Sequence, residues 1–189
     1  MQVAAEAADG QQAIDLFNNI KPDVVLMDLI MPEVDGLEAI RRITSEHPDS
    51  KILVLSSAVT DEQVYPAIRE GALGYLDKDT EPGELIESIL RVFRSQPSLQ
   101  PDLARRMLGD FEQRKESSQE KEQLTEREME VLRLLARGYD NPEIAKRLFI
   151  AEVTVRTHIS RIMTKLHLAN RVQATLYALR EGISNLDTE

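Results

Sequence analysis

The sequence contains no cysteine, which removes disulfides and thiolate-held metal ions from consideration. Its three histidines, His47, His158 and His167, are too scattered to build a zinc centre. The first residues, MQVAAEAADG, carry neither the basic start nor the apolar core of a secretory leader. No run approaches the ~20 apolar residues of a membrane-spanning helix. These absences predict cytoplasmic residence and no membrane segment. What remains, 42% apolar and 30% charged over 189 residues, is ordinary soluble composition with room for one or two domains.

Acidic residues outnumber basic ones, 33 to 23, and the net charge of −10 argues at first against a nucleic-acid partner. Its distribution reverses that reading. Met1–Gln96 has 8 basic and 18 acidic residues, Pro97–Gln123 has 5 and 6, and Leu124–Glu189 has 10 and 9. Within the last segment, Ile144–Arg171 holds Lys146, Arg147, Arg156, Arg161, Lys165 and Arg171 against Glu152 alone. The acidity belongs to one part of the chain and a basic cluster to another.

That cluster lies in NPEIAKRLFIAEVTVRTHISRIMTKLHL, residues Asn141–Leu168. Val155, Ile159, Ile162, Met163 and Leu166 recur with a 3.6-residue period and form the inner stripe of a helix. The other side carries Thr154, Thr157, Ser160, Arg161 and Thr164, flanked by Arg156 and Lys165. A solvated helix face is the commoner meaning of such a pattern. Hydroxyls and guanidinium groups on a short rigid helix also suit phosphate oxygens and base edges in a major groove. The neighbouring segments favour the second meaning. Asn141 and Pro142 are placed to open a short helix ending at Leu148, and Thr125–Glu128 reads as a capping box before Met129, Leu132, Leu135 and Ala136. Gly138 is placed to end that helix, and Asn170 to cap a last one carrying Val172, Leu176, Leu179 and Ile183 near Gly182. Four short helices with a basic one in this position describe a helix-turn-helix domain.

Here the residues resemble a known family. LTEREMEVLRLLARG, NPEIAKRL and TVRTHISRIMTKL look like the LuxR-type DNA-binding domain of response regulators, over nearly all of Leu124–Ile183. Lys146, Thr154, Arg156, Thr157, Ser160, Arg161 and Lys165 are the expected DNA contacts. Three positions depart from the family pattern. Pro142 stands where lysine is frequent, Ala151 where a serine caps the recognition helix, and Arg156 where lysine is usual. Loss of the cap costs about 1 kcal/mol, and arginine favours bidentate contact with guanine.

Upstream, apolar runs alternate with helical stretches. Strands are expected at Met1–Ala7, Asp23–Asp28 (the last buried on both faces), Lys51–Ser56 and Leu73–Asp77. Helices are expected from Asp9 to Ile20, with Ala13, Ile14, Phe17 and Ile20 inward, and over about Asp35–Glu46, Asp61–Glu70 and Pro82–Arg94. This alternation predicts a doubly wound parallel α/β sheet, with ligands at the carboxyl ends of its strands. Three such ends carry Asp28, Ser56 and Lys78. A carboxylate there can attack a phosphoryl donor, with the hydroxyl and the ammonium receiving the transferred group's oxygens. Taken singly, each residue is as well explained as an ordinary strand end. Between the two domains, Pro97–Gln123 reads as a linker. It has one amphipathic stretch, Pro101–Arg114, with Leu103, Met107, Leu108 and Phe111 on one side, and the polar run KESSQEKEQ after it.

VVLMDLIMPEVDG, ILVLSS and GALGYLDKD together resemble the receiver domain of two-component response regulators, from Gln2 to about Phe93. The resemblance makes Asp28 the phosphorylated residue, Ser56 the switch hydroxyl, Tyr75 the switch aromatic and Lys78 the phosphate-pairing lysine. Tyr75 reads equally well as an aromatic at the core edge. The resemblance also implies magnesium held by the Asp28 carboxylate and the Ile30 backbone carbonyl. The family's first strand, its acidic pair and its first helix have no counterpart, because the sequence begins where the family's second strand begins: either the true start lies upstream of Met1 or the receiver is degraded. The magnesium site is therefore expected to be incomplete and phosphorylation of Asp28 poor. In the family's strand order, 2-1-3-4-5, the interior partner of Met1–Ala7 is the missing strand.

The fold predicted is thus a flavodoxin-like receiver lacking its first strand and helix (1–96), a linker (97–123) and an all-α four-helix LuxR-type domain (124–189). The function predicted is a DNA-binding transcriptional regulator of a phosphorelay, not an enzyme. Double-stranded DNA and a sensor histidine kinase are its expected partners, and a homodimer on DNA its expected state. One rival is a transcription factor that ignores phosphate and keeps its receiver for protein contacts. The other is an aspartyl-phosphate phosphohydrolase, which the apolar Ile30 two residues after Asp28 disfavours, since such enzymes carry an acid there.

Overall fold

Carboxylates open the first helices of the chain. In the computed structural model, which describes residues 1–57, 61–100, 103, 107, 123–168 and 170–183, Asp9 caps helix α1 (Gly10–Ile20) and Asp35 caps helix α2 (Gly36–Glu46). Each side chain accepts the N–H three residues on, at 2.9 Å from Gln12 and 2.8 Å from Glu38, satisfying donors that the helix itself cannot. Strands β1 (Val25–Met27), β2 (Ile52–Ser56) and β3 (Gly74–Asp77) form one parallel sheet in the order β1-β2-β3. Val25 pairs with Ile52, and Ser56 with Asp77. Parallel strands need long crossovers, which α2 and helix α3 (Asp61–Arg69) supply. Helix α4 (Pro82–Phe93) packs against β2 and β3, while α1, α2 and α3 pack in succession. Ile40, Ile43, Ile52, Leu53, Val54 and Ile68 are almost completely buried, each contributing about 1.5–3 kcal/mol by leaving water.

Three expectations for this half are corrected. Met1–Ala7 is exposed and forms no strand, because its backbone finds no ladder partner among the described residues. β1 is shorter than Asp23–Asp28, and Leu26 is 45% exposed rather than buried. Its pattern is that of an edge strand, since β2 is its one described neighbour. Ile20 is also exposed, at the last turn of α1, with Lys21 beyond it in the left-handed region.

The chain divides into two compact units, Met1–Phe93 and Arg94–Glu189. The second contains helices α5 (Glu126–Ala136), α6 (Asn141–Leu148), α7 (Glu152–Leu166) and α8 (Arg171–Arg180). Thr125 and Glu128 form the capping box that opens α5. Gly138, at φ 83°, closes it: its N–H donates to the Leu135 carbonyl at 3.0 Å and Tyr139 N–H to that of Leu134 at 3.2 Å. Those two bonds are the paired C-terminal bonds of a Schellman turn. The cap of α6 is Asp140 rather than Asn141, in a reciprocal box with Glu143. Asn141 is the first helical residue, and its side-chain oxygen accepts from Arg171 at 2.9 Å. Val131, Leu132, Leu135, Ile144, Val155, Ile159 and Ile162 make one core between α5, α6 and α7. Of the amphipathic stretch in the linker, Leu103 and Met107 are buried; Leu108 and Phe111, like the KESSQEKEQ run after it up to Glu122, lie outside the described residues.

Candidate functional site

The parallel register delivers three polar side chains to the carboxyl end of the sheet. Asp28 follows β1, Ser56 ends β2, and Lys78 follows β3. The fully buried Ser56 hydroxyl donates to Asp28 Oδ1 at 2.9 Å, and the Ile30 N–H donates to the same oxygen at 3.1 Å. Lys78 Nζ donates to Oδ2 at 2.5 Å. Burial works to raise the Asp28 carboxyl. The hydrogen bonds from Lys78, Ile30 and Ser56, with the Lys78 charge, outweigh it and hold the group below the ordinary carboxylate range. Asp28 is therefore an anion, partly open to solvent, its side chain 24% exposed and that of Lys78 43%.

The backbone around Asp28 is held just as closely. A Cβ on Gly36 would stand 1.9 Å from the Asp28 carbonyl oxygen, so no other residue fits where the Gly36 N–H donates to Leu29 at 3.2 Å. Tyr75 stands in β3 opposite Val54, half-buried; burial, then the charge of Asp77, raises its phenol.

The second polar surface is the outer face of α7. Arg156, Thr157, Ser160, Arg161 and Thr164 are exposed along it, and Lys146 is exposed on α6. Arg156 reaches back to Glu152 at 2.7 Å and stays half exposed. Thr157 and Thr164 donate their hydroxyls to the carbonyls four residues earlier, each at 3.0 Å. Ala151 stands at the N-cap with no side-chain bond to offer.

With two such surfaces in one chain, the comparisons with known proteins are specific. Residues 122–178 match the bacterial regulatory proteins of the luxR family, and residues 1–90 match the response regulator receiver domain. The chain is 40% identical to the transcriptional regulatory protein LiaR of Bacillus subtilis over 98% of its own length and 88% of that protein. It is 37% identical to the response regulator protein VraR of Staphylococcus aureus, over 97% and 86%. A solved two-component response regulator of the LuxR family from Aurantimonas sp. SI85-9A1 is 32% identical with a TM-score of 0.53, covering 58% of this chain and 78% of that one. The chain is a LuxR-family response regulator.

Response regulators of this family are transcriptional regulators, and two residues assigned to DNA from sequence have other surroundings in this one. Lys165 turns away from the outer face: its Nζ donates to Glu128 on α5 at 2.8 Å, in a pair whose side chains are 22% and 3% exposed. Thr154 is half-buried, and Val153 takes the exposed position beside it at 69%. Counting i, i+4 back from Thr157 would have found Val153, but a search for polar residues passes over it. Arg171, counted in the basic cluster, is buried between Asn141 and the Tyr139 carbonyl, 2.5 Å from its Nη2. Burial lowers its guanidinium to about 10, against the pull of Asp140, so it remains a cation. Arg147 lies over the Tyr139 ring at 3.9 Å, a cation–π contact.

Receiver domains generally bind magnesium. Magnesium asks for near-octahedral oxygen ligation and is usually held by one or two carboxylates together with waters and phosphate oxygens. Among the described residues no three acids or histidines cluster. Both Asp28 oxygens accept hydrogen bonds, one of them from the Ile30 N–H, and Asp35 caps α2. No helix of the described residues is long and apolar enough to cross a membrane.

Proposed function

We propose that Asp28 is the residue phosphorylated in this response regulator and that a sensor histidine kinase is the donor. The observation that carries this is the convergence of Ser56, Ile30 N–H and Lys78 on one accessible carboxylate. An Asp28 oxygen attacks the phosphorus of a phosphohistidine, the imidazole leaves, and an acyl phosphate remains. Ser56 then donates to a phosphoryl oxygen and Lys78 pairs with its charge, so both exchange their present bond to the carboxylate for one to the new group. Tyr75 is the switch aromatic of this scheme. The outer face of α7, with Arg156, Thr157, Ser160 and Arg161, enters the major groove, and Lys146 meets a phosphate. A homodimer sets paired half-sites, and the protein works in the cytoplasm.

A second reading has its own support. With one carboxylate at the site, the described residues lack the cation ligands that neutralise an approaching phosphoryl donor. On that reading DNA binding is independent of phosphate. Intact mass after incubation with acetyl phosphate and magnesium separates the two, as does duplex binding with and without the donor. A gain approaching one phosphoryl group per chain, abolished by Asp28→Asn, supports the first reading; a gain well below one, with duplex binding unchanged by the donor, supports the second.

A further inference from the structure

The recognition surface contains an apolar element. Val153 lies in the first turn of α7 and is 69% exposed. It sits four residues before Thr157, hence on the same face, with Arg156 and Ser160 at i+3 and i+7 on that stripe, all exposed. Thr157 shares its character. With its hydroxyl proton given to the Val153 carbonyl at 3.0 Å, it presents a methyl group and no free donor. So the amino-terminal end of the outer face, the part that reaches base edges in helix-turn-helix docking, is apolar and lies directly beside Arg156. An exposed β-branched residue there is a mediocre helix former, and at this exposure it buries little against its own domain. Among the described residues its outward methyls have no packing partner that would account for them.

The major-groove edge of DNA presents one apolar group, the 5-methyl of thymine. We infer that Val153, together with the Thr157 methyl, is a specificity-determining element that reads thymine methyl groups next to the base or phosphate met by Arg156. This inference rests on the groove-binding reading of α7 and adds to it the base that the first turn selects. Arg156, Ser160 and Arg161 then supply the polar contacts, while Val153 discriminates thymine from cytosine by fit and not by hydrogen bonding.

Deoxyuridine tests this directly, because it removes the methyl and leaves every hydrogen-bonding group of thymine in place. The full chain is used to select a preferred duplex from a randomised pool, and each thymine of that duplex is replaced singly by deoxyuridine. At one or two positions the replacement should weaken binding by about 3- to 10-fold, the scale of one buried methyl. Val153→Ala should weaken the unmodified duplex by a similar factor and abolish the deoxyuridine effect at those same positions. Thr157→Ser, which keeps the hydroxyl and deletes the methyl, should remove part of it. Both side chains are exposed, so unchanged melting by circular dichroism will show the variants folded. Binding that is indifferent to deoxyuridine at every position, or a deoxyuridine effect that survives intact in Val153→Ala, overturns the inference while the groove-binding reading stands. Failure of the chain to bind any duplex overturns both.

Discussion

The two units each hold a carboxylate with the same kinds of partner, and the two carboxylates do different things. Asp28 accepts from a hydroxyl (Ser56), a backbone N–H (Ile30) and a lysine (Lys78). Glu128 accepts from the Thr125 hydroxyl at 3.0 Å, the Thr125 N–H at 2.8 Å and Lys165 at 2.8 Å. The donor types match; the access does not. The Glu128 side chain is 3% exposed and lies between α5 and α7, whereas Asp28 is 24% exposed at the end of a sheet. A polar cluster closed off from solvent is a fastener, and an open one can exchange a partner for a ligand. Ligand identity alone distinguishes neither.

The largest expected effect breaks the fastener. Removing one member of a buried, hydrogen-bonded pair leaves the other charge uncompensated, at a cost of about 3–5 kcal/mol. Glu128→Ala should therefore lose about that much in denaturant unfolding of the full chain followed by far-ultraviolet circular dichroism. Asp28→Asn should change stability by less than about 1 kcal/mol, because Lys78 stays solvated. Equal losses would mean that the two clusters serve the same purpose.

Acid sharpens the contrast. Burial works to raise the Glu128 carboxyl, but Lys165 and the two Thr125 bonds bring it down to about 2 from an ordinary 4.5. A carboxyl lowered by folding adds stability that is complete above its unfolded value and is lost as pH falls through its folded one. Between about pH 4.5 and 2 the second unit should lose on the order of 2–3 kcal/mol through this group. Unfolding curves across that window should show the loss in the parent chain and its absence in Glu128→Gln.

A smaller effect separates the fastened lysine from a free one. Lys146→Ala should flatten the log–log salt dependence of duplex binding by about 0.9, one phosphate contact. Lys165→Met should lower stability and leave that slope where it was. A slope reduced equally by both would return Lys165 to the DNA-facing set. The smallest effect concerns Arg156, which spends its charge on Glu152 across one helical turn. Such pairs are worth about 0.3–0.5 kcal/mol, so Glu152→Gln should tighten duplex binding about twofold, measured by fluorescence anisotropy at low salt. Weaker binding would show that Glu152 positions the arginine productively.

Much of this architecture was legible because it is local. Caps act across three residues, so Thr125 with Glu128, Asp9, Asp35 and Asn170 announced their helices directly, and Gly138 announced an end. Motif spacing located the family on both halves, and strand ends located Asp28, Ser56 and Lys78. Asn141 misled because Asp140 precedes it with an equally good side chain, and the Glu143 box chose between them.

What tertiary structure alone decided lies at longer range. Glu128 and Lys165 are 37 residues apart, and nothing within either helix says that one will bury the charge of the other. The rotation of α7 against α5 and α8 turned Lys165 inward, half-buried Thr154 and left Val153 in the open. Sequence periodicity gives a face to within about one residue in each turn, roughly 100° of arc, and three-dimensional packing settles that last residue. Arg171 looked like part of a basic surface until the α5–α6 turn closed over it. Met1–Ala7 had the composition of a weak strand, but a strand exists only through a neighbour's backbone, and that neighbour is supplied by the fold.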